Sequence, residues 1–327
     1  VKIETLESGK SDGDYVEAAG FLGQTAYFAR ASGIVSYSGD SQTEVRLHDG
    51  LLAAISTPDG RFLISTGEDE RLIKSAADAS AAALVERPGW WMDRIAVGPG
   101  NAIAVSAGKR ALVMRDSNLV REITSERSIE GLAFAPKGLR LAFARYNGVE
   151  LHWMSRETEP VFLEWKGAHL SVAFSPDGRF LVTTMQENAL HGWRLADGKN
   201  MRMSGYPAKV KSLSFSHKGK WLASSGAPAA IVWPFSGKDG PMGKAPKELG
   251  SMGSVMVTRV ACHPGEQVVA IGYENGMIAA VKIDDGQIAM LRQEDGSELT
   301  ALGWDSDGKL LAFGCANGKA GIVDLAG

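Results

Sequence analysis

One short motif returns along the whole chain and limits what it can fold into. Phe174-Ser-Pro-Asp-Gly178, Phe215-Ser-His-Lys-Gly219 and Phe134-Ala-Pro-Lys-Gly138 are copies of one turn, each followed by an apolar run. Weaker copies place the turn glycine at Gly23, Gly60, Gly100, Gly265 and Gly308, so the eight anchors are spaced 37 to 46 residues apart, with a mean of about 41. A unit of that length cannot bury an apolar face alone. It must stack on its neighbours, and the repeat must make one continuous array of small modules.

Within a unit the strands can be read directly. Residues 170–174, 179–184, 189–195 and 200–204 are short and apolar or alternating, and are here termed a, b, c and d. The b to c turn carries Asn147-Gly148, Asn275-Gly276, Asn317-Gly318 and the weaker Ser32-Gly33, dipeptides that tolerate the positive φ of tight hairpins. Glycine makes up 39 of 327 residues, above the usual share of about 7%, as many tight turns require. Four short strands in about 41 residues is the size of a β-propeller blade. The fold expected is therefore all-β, a propeller of four-stranded antiparallel blades. Eight anchors favour eight blades; seven is the alternative, reached if the weak first unit is not a blade. The last unit supplies only 299–304, 309–315 and 320–325, whereas residues 1–6 precede the first strand a and alternate as a strand does. The N-terminal strand is thus expected to close the ring as the outer strand of the last blade, with residues 1–327 forming a single domain.

These repeats resemble the WD-repeat β-propeller family over essentially all 327 residues. The nearest unit runs from Gly167 to Leu195, and Trp153, Trp193 and Trp233 stand where the family carries its strand c tryptophan. The chain departs from the pattern as well. The Gly-His pair survives only as Gly167-Ala-His169, no Asp follows the three tryptophans, and Val323-Asp324 keeps the Asp without the Trp. The resemblance implies that the family's hydrogen-bonded tetrad can be met at most once, by His169, Thr183, Glu187 and Trp193. It also implies a non-catalytic interaction scaffold whose loops face a protein partner.

Composition excludes several other functions. Thirty-five Lys and Arg against 38 Asp and Glu leave a net charge of -3, which gives no field to attract nucleic acid. No apolar run reaches the roughly 18 residues that insert into a bilayer. Cys262 and Cys315 make no disulfide framework, and the natural compartment is reducing, that is cytoplasmic. The chain starts at Val1 without Met, which leaves removal of an upstream signal open. A phosphate-binding glycine loop, a nucleophile elbow and a paired-His zinc motif are all lacking. A monomeric propeller with no catalytic residue and no cofactor is expected.

Four groups of residues are candidates for more than packing. Trp90 and Trp91, in the d to a connection Glu86-Arg-Pro-Gly-Trp90-Trp91-Met92, suit a partner contact. They point opposite ways in an extended segment, and Trp90 is taken as the exposed one. Glu17, Arg94 and Arg259 interrupt an otherwise apolar position of strand a, either as an inter-blade charge network or as lining of an axial channel that could hold an anion. His217 and His263 fall two residues before Gly219 and Gly265, and with Cys262 and Asp305 could converge as metal ligands. This ligand or metal site is the alternative to the scaffold. The fourth group is the Gly, Pro and Lys-rich stretch 236–247, read as a solvated loop.

Overall fold

The recurring turn works through its side chains. In the computed structural model, which describes residues 2–6, 14–39, 41–156 and 158–326, the Gly178 N–H donates to Ser175 O at 2.8 Å and Gly178 takes φ 73°. The Ser175 hydroxyl donates to Asp177 at 2.7 Å and accepts from Phe180 N–H at 2.9 Å. Asp177 in turn pairs with Arg179 at 2.7 Å. Thr57, Asp59 and Arg61 repeat the arrangement. Glycine avoids a Cβ clash at the left-handed position, while the hydroxyl and carboxylate satisfy the turn's N–H groups.

Every strand pairing is antiparallel and most link consecutive strands. Val16–Leu22, Thr25–Arg30, Ile34–Ser38 and Gln42–Arg46 form the first sheet, in sequence order. Leu51–Ser56 to Ala81–Glu86 and Arg94–Gly98 to Asn118–Thr124 form the next two. Leu213–Phe215 to Lys247–Leu249 and Val257–Cys262 to Ile288–Arg292 follow the same plan. In the last sheet Lys2–Leu6 pairs with Ala320–Asp324, Lys2 opposite Asp324 and Leu6 opposite Ala320. The N-terminal strand therefore completes the final blade as its pattern suggests; Val1 lies outside the described residues.

The number of blades differs from expectation. Among the described residues there are seven hydrogen-bonded sheets, not eight, because the fourth and fifth repeat units share one six-stranded sheet. Val161–Phe174 runs for 14 residues from the d position of one unit into the a position of the next, and Gly167 (φ 111°) lets it bend without breaking. Arg140–Trp153 spans b and c of the fourth unit. It turns at Asn147 and Gly148, both at positive φ, so that Met154 N–H meets Leu139 O at 2.8 Å. Eight repeats in the sequence are realised as seven blades.

Two compact units result. One comprises Leu47–Ala76 and Ser80–Gly205; the other holds the remaining residues. In the first, Ile64 and Leu72 pack with Trp90, Val105 and Leu112. Ala104 and Val113 pack with Phe134 and Phe143, and Val149 and Leu151 with Leu181 and Trp193. In the second, Val232 meets Val269 and Tyr273, Ile278 meets Leu311 and Phe313, and Phe28 meets Ala301 and Ala312. Side chains from neighbouring repeats thus share each core, at about 1.5–3 kcal/mol for each large apolar group removed from water. No described helix is long and apolar enough to cross a membrane.

Candidate functional site

The Glu86–Met92 connection places its two tryptophans opposite to expectation. Gly89 takes φ 79° and Trp90 N–H returns to Arg87 O at 3.0 Å, which sets the phase of the extended residues that follow. Trp90 and Met92 turn inward, at 5% and 0% exposure, and Trp91 is 53% exposed. Trp90 joins the core, with the Arg110 guanidinium 4.1 Å from its ring centroid. The solvent-facing aromatic is Trp91. A second lies at the same end of the neighbouring repeat, since d to a connections and b to c turns share one end of an antiparallel meander: Tyr146, 54% exposed.

Arg94 links these two repeats. Its Nε donates to Glu130 O at 2.7 Å and Nη1 to Asp93 O at 2.9 Å, with carboxylates of Asp93 and Glu130 at 2.9 and 3.7 Å. Glu130 N–H in turn donates to Ala144 O at 2.8 Å, two residues before Tyr146. Arg259 repeats the clasp in the other unit: Nε donates to Thr300 O at 2.5 Å and Nη1 to Thr258 O at 2.9 Å. Each guanidinium therefore ties strand a of one repeat to that of the next through carbonyl oxygens. Glu17 lies near Arg259; loss of water raises its carboxyl pKa against the pull of that cation. The Arg94 side chain keeps 40% of its exposure, so this is not the fully buried charge network that an apolar strand position suggests.

Of the expected tetrad, three members meet. His169 Nδ1 accepts from the Thr183 hydroxyl at 2.7 Å while Nε2 donates to Trp165 O at 3.0 Å, and the Trp193 ring is 5.5 Å away. Burial lowers the His169 pKa and keeps the ring neutral, in the tautomer this arrangement needs. Glu187 stays solvent-facing, its place taken by the Trp165 carbonyl. Two further networks escaped the sequence reading. His48 donates to Asp69 at 2.8 Å and accepts from Ser65 at 2.9 Å. Trp233 donates to the Tyr206 hydroxyl at 2.8 Å, and that hydroxyl lies 2.7 Å from Ser224. A His and an Asp 21 residues apart, flanking strands a and b, are the one sequence signal that could have found the first; Tyr206 left none.

The four candidate metal ligands do not converge. His263 N–H bonds Val268 O, as Ser216 N–H bonds Trp221 O and Asp305 N–H bonds Leu310 O. His263 is therefore equivalent to Ser216 and Asp305, and His217, one residue further on, is not its counterpart. The anchor alignment at Gly265 is off by one residue, and Gly265 does not take positive φ. His263, Cys262 and Asp305 are engaged in hydrogen bonds of the turns and of neighbouring repeats. His263 Nε2 reaches Gly308 O at 3.0 Å and its Nδ1 accepts from Glu266 N–H at 2.9 Å. Asp305 accepts from Leu310 N–H at 2.9 Å. The Cys262 thiol faces Ser214 O at 3.3 Å, and burial pushes its pKa up to about 11. His217 is exposed. Among the described residues no three His, Cys, Asp or Glu side chains cluster as a metal site would need.

Comparison with known proteins agrees with this architecture. Residues 199–233 match the WD domain, G-beta repeat, and residues 264–326 match the anaphase-promoting complex subunit 4 WD40 domain. These two stretches, in the C-terminal half of the chain, resemble WD repeats. Solved WD-repeat structures superpose on most of the chain. The WD40 repeats of RRP9 align at a TM-score of 0.63 and 16% identity over 84% of this chain and 94% of that one. The U3-55K structure gives 0.64 and 16% over 90% and 99%. A computationally designed protein, Ika8, reaches 0.76 and 18% over 96% and 98%. Two curated proteins are similar in sequence. Telomerase protein component 1 of Rattus norvegicus is 25% identical over 201 residues, and SEC12-like protein 2 of Arabidopsis thaliana 26% over 208. Each match takes in 59% of this chain but only 7% and 53% of those proteins.

Proposed function

We propose that this protein is a non-catalytic interaction scaffold of WD-repeat type, and that a protein partner docks on the end of the repeats bearing Trp91 and Tyr146. The observation that carries the reading is the exposure of these two aromatic side chains, 53% and 54%, on adjacent repeats joined by the Arg94 clasp. Large aromatics left in water cost free energy that a partner can recover, and such residues are enriched at interface hot spots. The reading takes residues 1–327 as one cytoplasmic, monomeric domain acting without a cofactor.

Its test is affinity capture from native lysate with the parent protein, Trp91→Ala and Tyr146→Ala, followed by titration of the captured partner. Each variant should fold normally and weaken binding by about 2 kcal/mol if its side chain is a hot spot. Undiminished capture by the double variant would remove this surface as the docking site.

A further inference from the structure

A cleft of about 620 Å³ opens between the outer strand of one sheet, Asn118–Thr124, and the beginning of Val161–Phe174 in the next. Its floor is polar and closed on itself. Glu150, 5% exposed, accepts from the Ser125 hydroxyl at 3.1 Å and from His152 Nε2 at 3.0 Å, and Arg145 Nε forms an ion pair with it at 2.7 Å. Burial opposes ionisation of Glu150, yet the His152 and Ser125 bonds and the Arg145 charge hold its carboxyl below the usual range, so the Arg145–Glu150 pair contributes no net charge. The mouth is different. It carries the exposed carboxylates of Glu122, Glu126 and Glu159; Glu126 also reaches the Arg145 guanidinium of the floor at 3.8 Å, and the other guanidinium, Arg121, donates to the carbonyls of Trp153 and Arg156.

Beside this acidic mouth lies exposed apolar surface. Val161 and Phe162 are 48% and 40% exposed, and Leu119 and Val120, further along the facing strand, 51% and 41%. The Phe162 ring is held from beneath by the Arg145 guanidinium, 4.3 Å from its centroid. A cleft that is negative at its mouth and apolar at its edges complements a ligand with the opposite charge and the same flanks.

We propose that this cleft docks an extended segment of a partner protein in which a Lys or Arg is flanked by apolar side chains. The basic group sits among Glu122, Glu126 and Glu159, and the flanking groups cover Phe162 and Val161. The inference rests on the scaffold reading but uses a surface separate from Trp91 and Tyr146.

The experiment is to pan a displayed library of short random peptides against the full chain and to titrate the selected peptides by fluorescence anisotropy. The panel is the parent, Glu126→Lys/Glu159→Lys, Phe162→Ala and Trp91→Ala. Both glutamates are exposed, and the long ion pair from Glu126 to Arg145 is the one contact known to be lost, so a melting curve close to the parent's is required before the affinities are compared. Peptides combining Lys or Arg with Leu, Ile or Phe should be selected, should bind at least about tenfold more weakly to the charge-reversed variant, and should lose affinity with added salt. Phe162→Ala should weaken them too, and Trp91→Ala should leave them unchanged. No selected binder, acidic selected sequences, or equal affinity for the charge-reversed protein would each overturn the proposal. Partner capture lost in Trp91→Ala but undisturbed in Glu126→Lys/Glu159→Lys would defeat the cleft while sparing the scaffold.

Discussion

Replacing Trp90 by alanine tests the central placement of this structure, because the neighbouring Trp91 is its internal control. Trp90 is 5% exposed and packs in the core with Met92 and Leu112. Truncating a buried tryptophan removes its transfer free energy and leaves a cavity, about 3–5 kcal/mol together. The Arg110 guanidinium over the ring adds about 0.5–1 kcal/mol. An unfolding entropy of about 2.1 cal/mol/K per residue gives about 0.7 kcal/mol/K for 327 residues. Cooperative unfolding of the chain would then drop in Tm by about 5–8 °C, and by more if one compact unit melts separately. Trp91→Ala, at an exposed position, should stay within about 0.5 kcal/mol of the parent. Differential scanning calorimetry with urea titration reads both. If Trp91→Ala fell by several degrees while Trp90→Ala melted with the parent, the inward and outward assignments would be reversed and the docking surface would lose its main residue.

Arg94→Ala and Arg259→Ala should each cost about 1–2 kcal/mol in urea unfolding, the loss of partly solvated charged hydrogen bonds to carbonyls, rather than the roughly 3–5 kcal/mol of a broken buried ion pair. Deleting residues 1–6 strips the partner from Ala320–Asp324; static light scattering should show association through the freed edge, and a monodisperse truncated protein would contradict the closure. A third expectation concerns pH. His191 is fully buried, stacked 4.0 Å from Trp165, and burial, with help from His169 and Arg202, pushes its pKa from 6.5 down to about 3. Because the folded value is depressed, the unfolded chain binds this proton more readily, so stability is level above pH about 6.5 and falls towards pH 3 by about 1.4 kcal/mol per unit. Between pH 6.5 and 5, above the ordinary range of Asp69 and Glu150, His191→Phe should reduce the slope of urea stability against pH by about one proton; an unchanged slope would mean that His191 does not titrate there.

The repeat was legible in the sequence because turn chemistry is local. A glycine at positive φ, preceded by a hydroxyl and an acid that satisfy its N–H groups, fixes the a to b turn at Gly178 and at Gly60 wherever it occurs. Alternation then supplies the strands, and the N-terminal strand Lys2–Leu6 declares itself by the same period. Three things were settled only in the folded chain. Whether Val161–Phe174 breaks or continues depends on the strands on both sides of it, so the sequence counted eight units where seven sheets form. Which tryptophan is buried depends on one turn at Gly89, whose direction shifts the parity of all that follows. His263 was aligned with His217 because two residues separate each from a glycine, yet the backbone bond to Val268 O places it with Ser216 and Asp305. Residue spacing records position along the chain; hydrogen-bond register, which decides what a side chain faces, belongs to the pair of strands and appears only when both are in place.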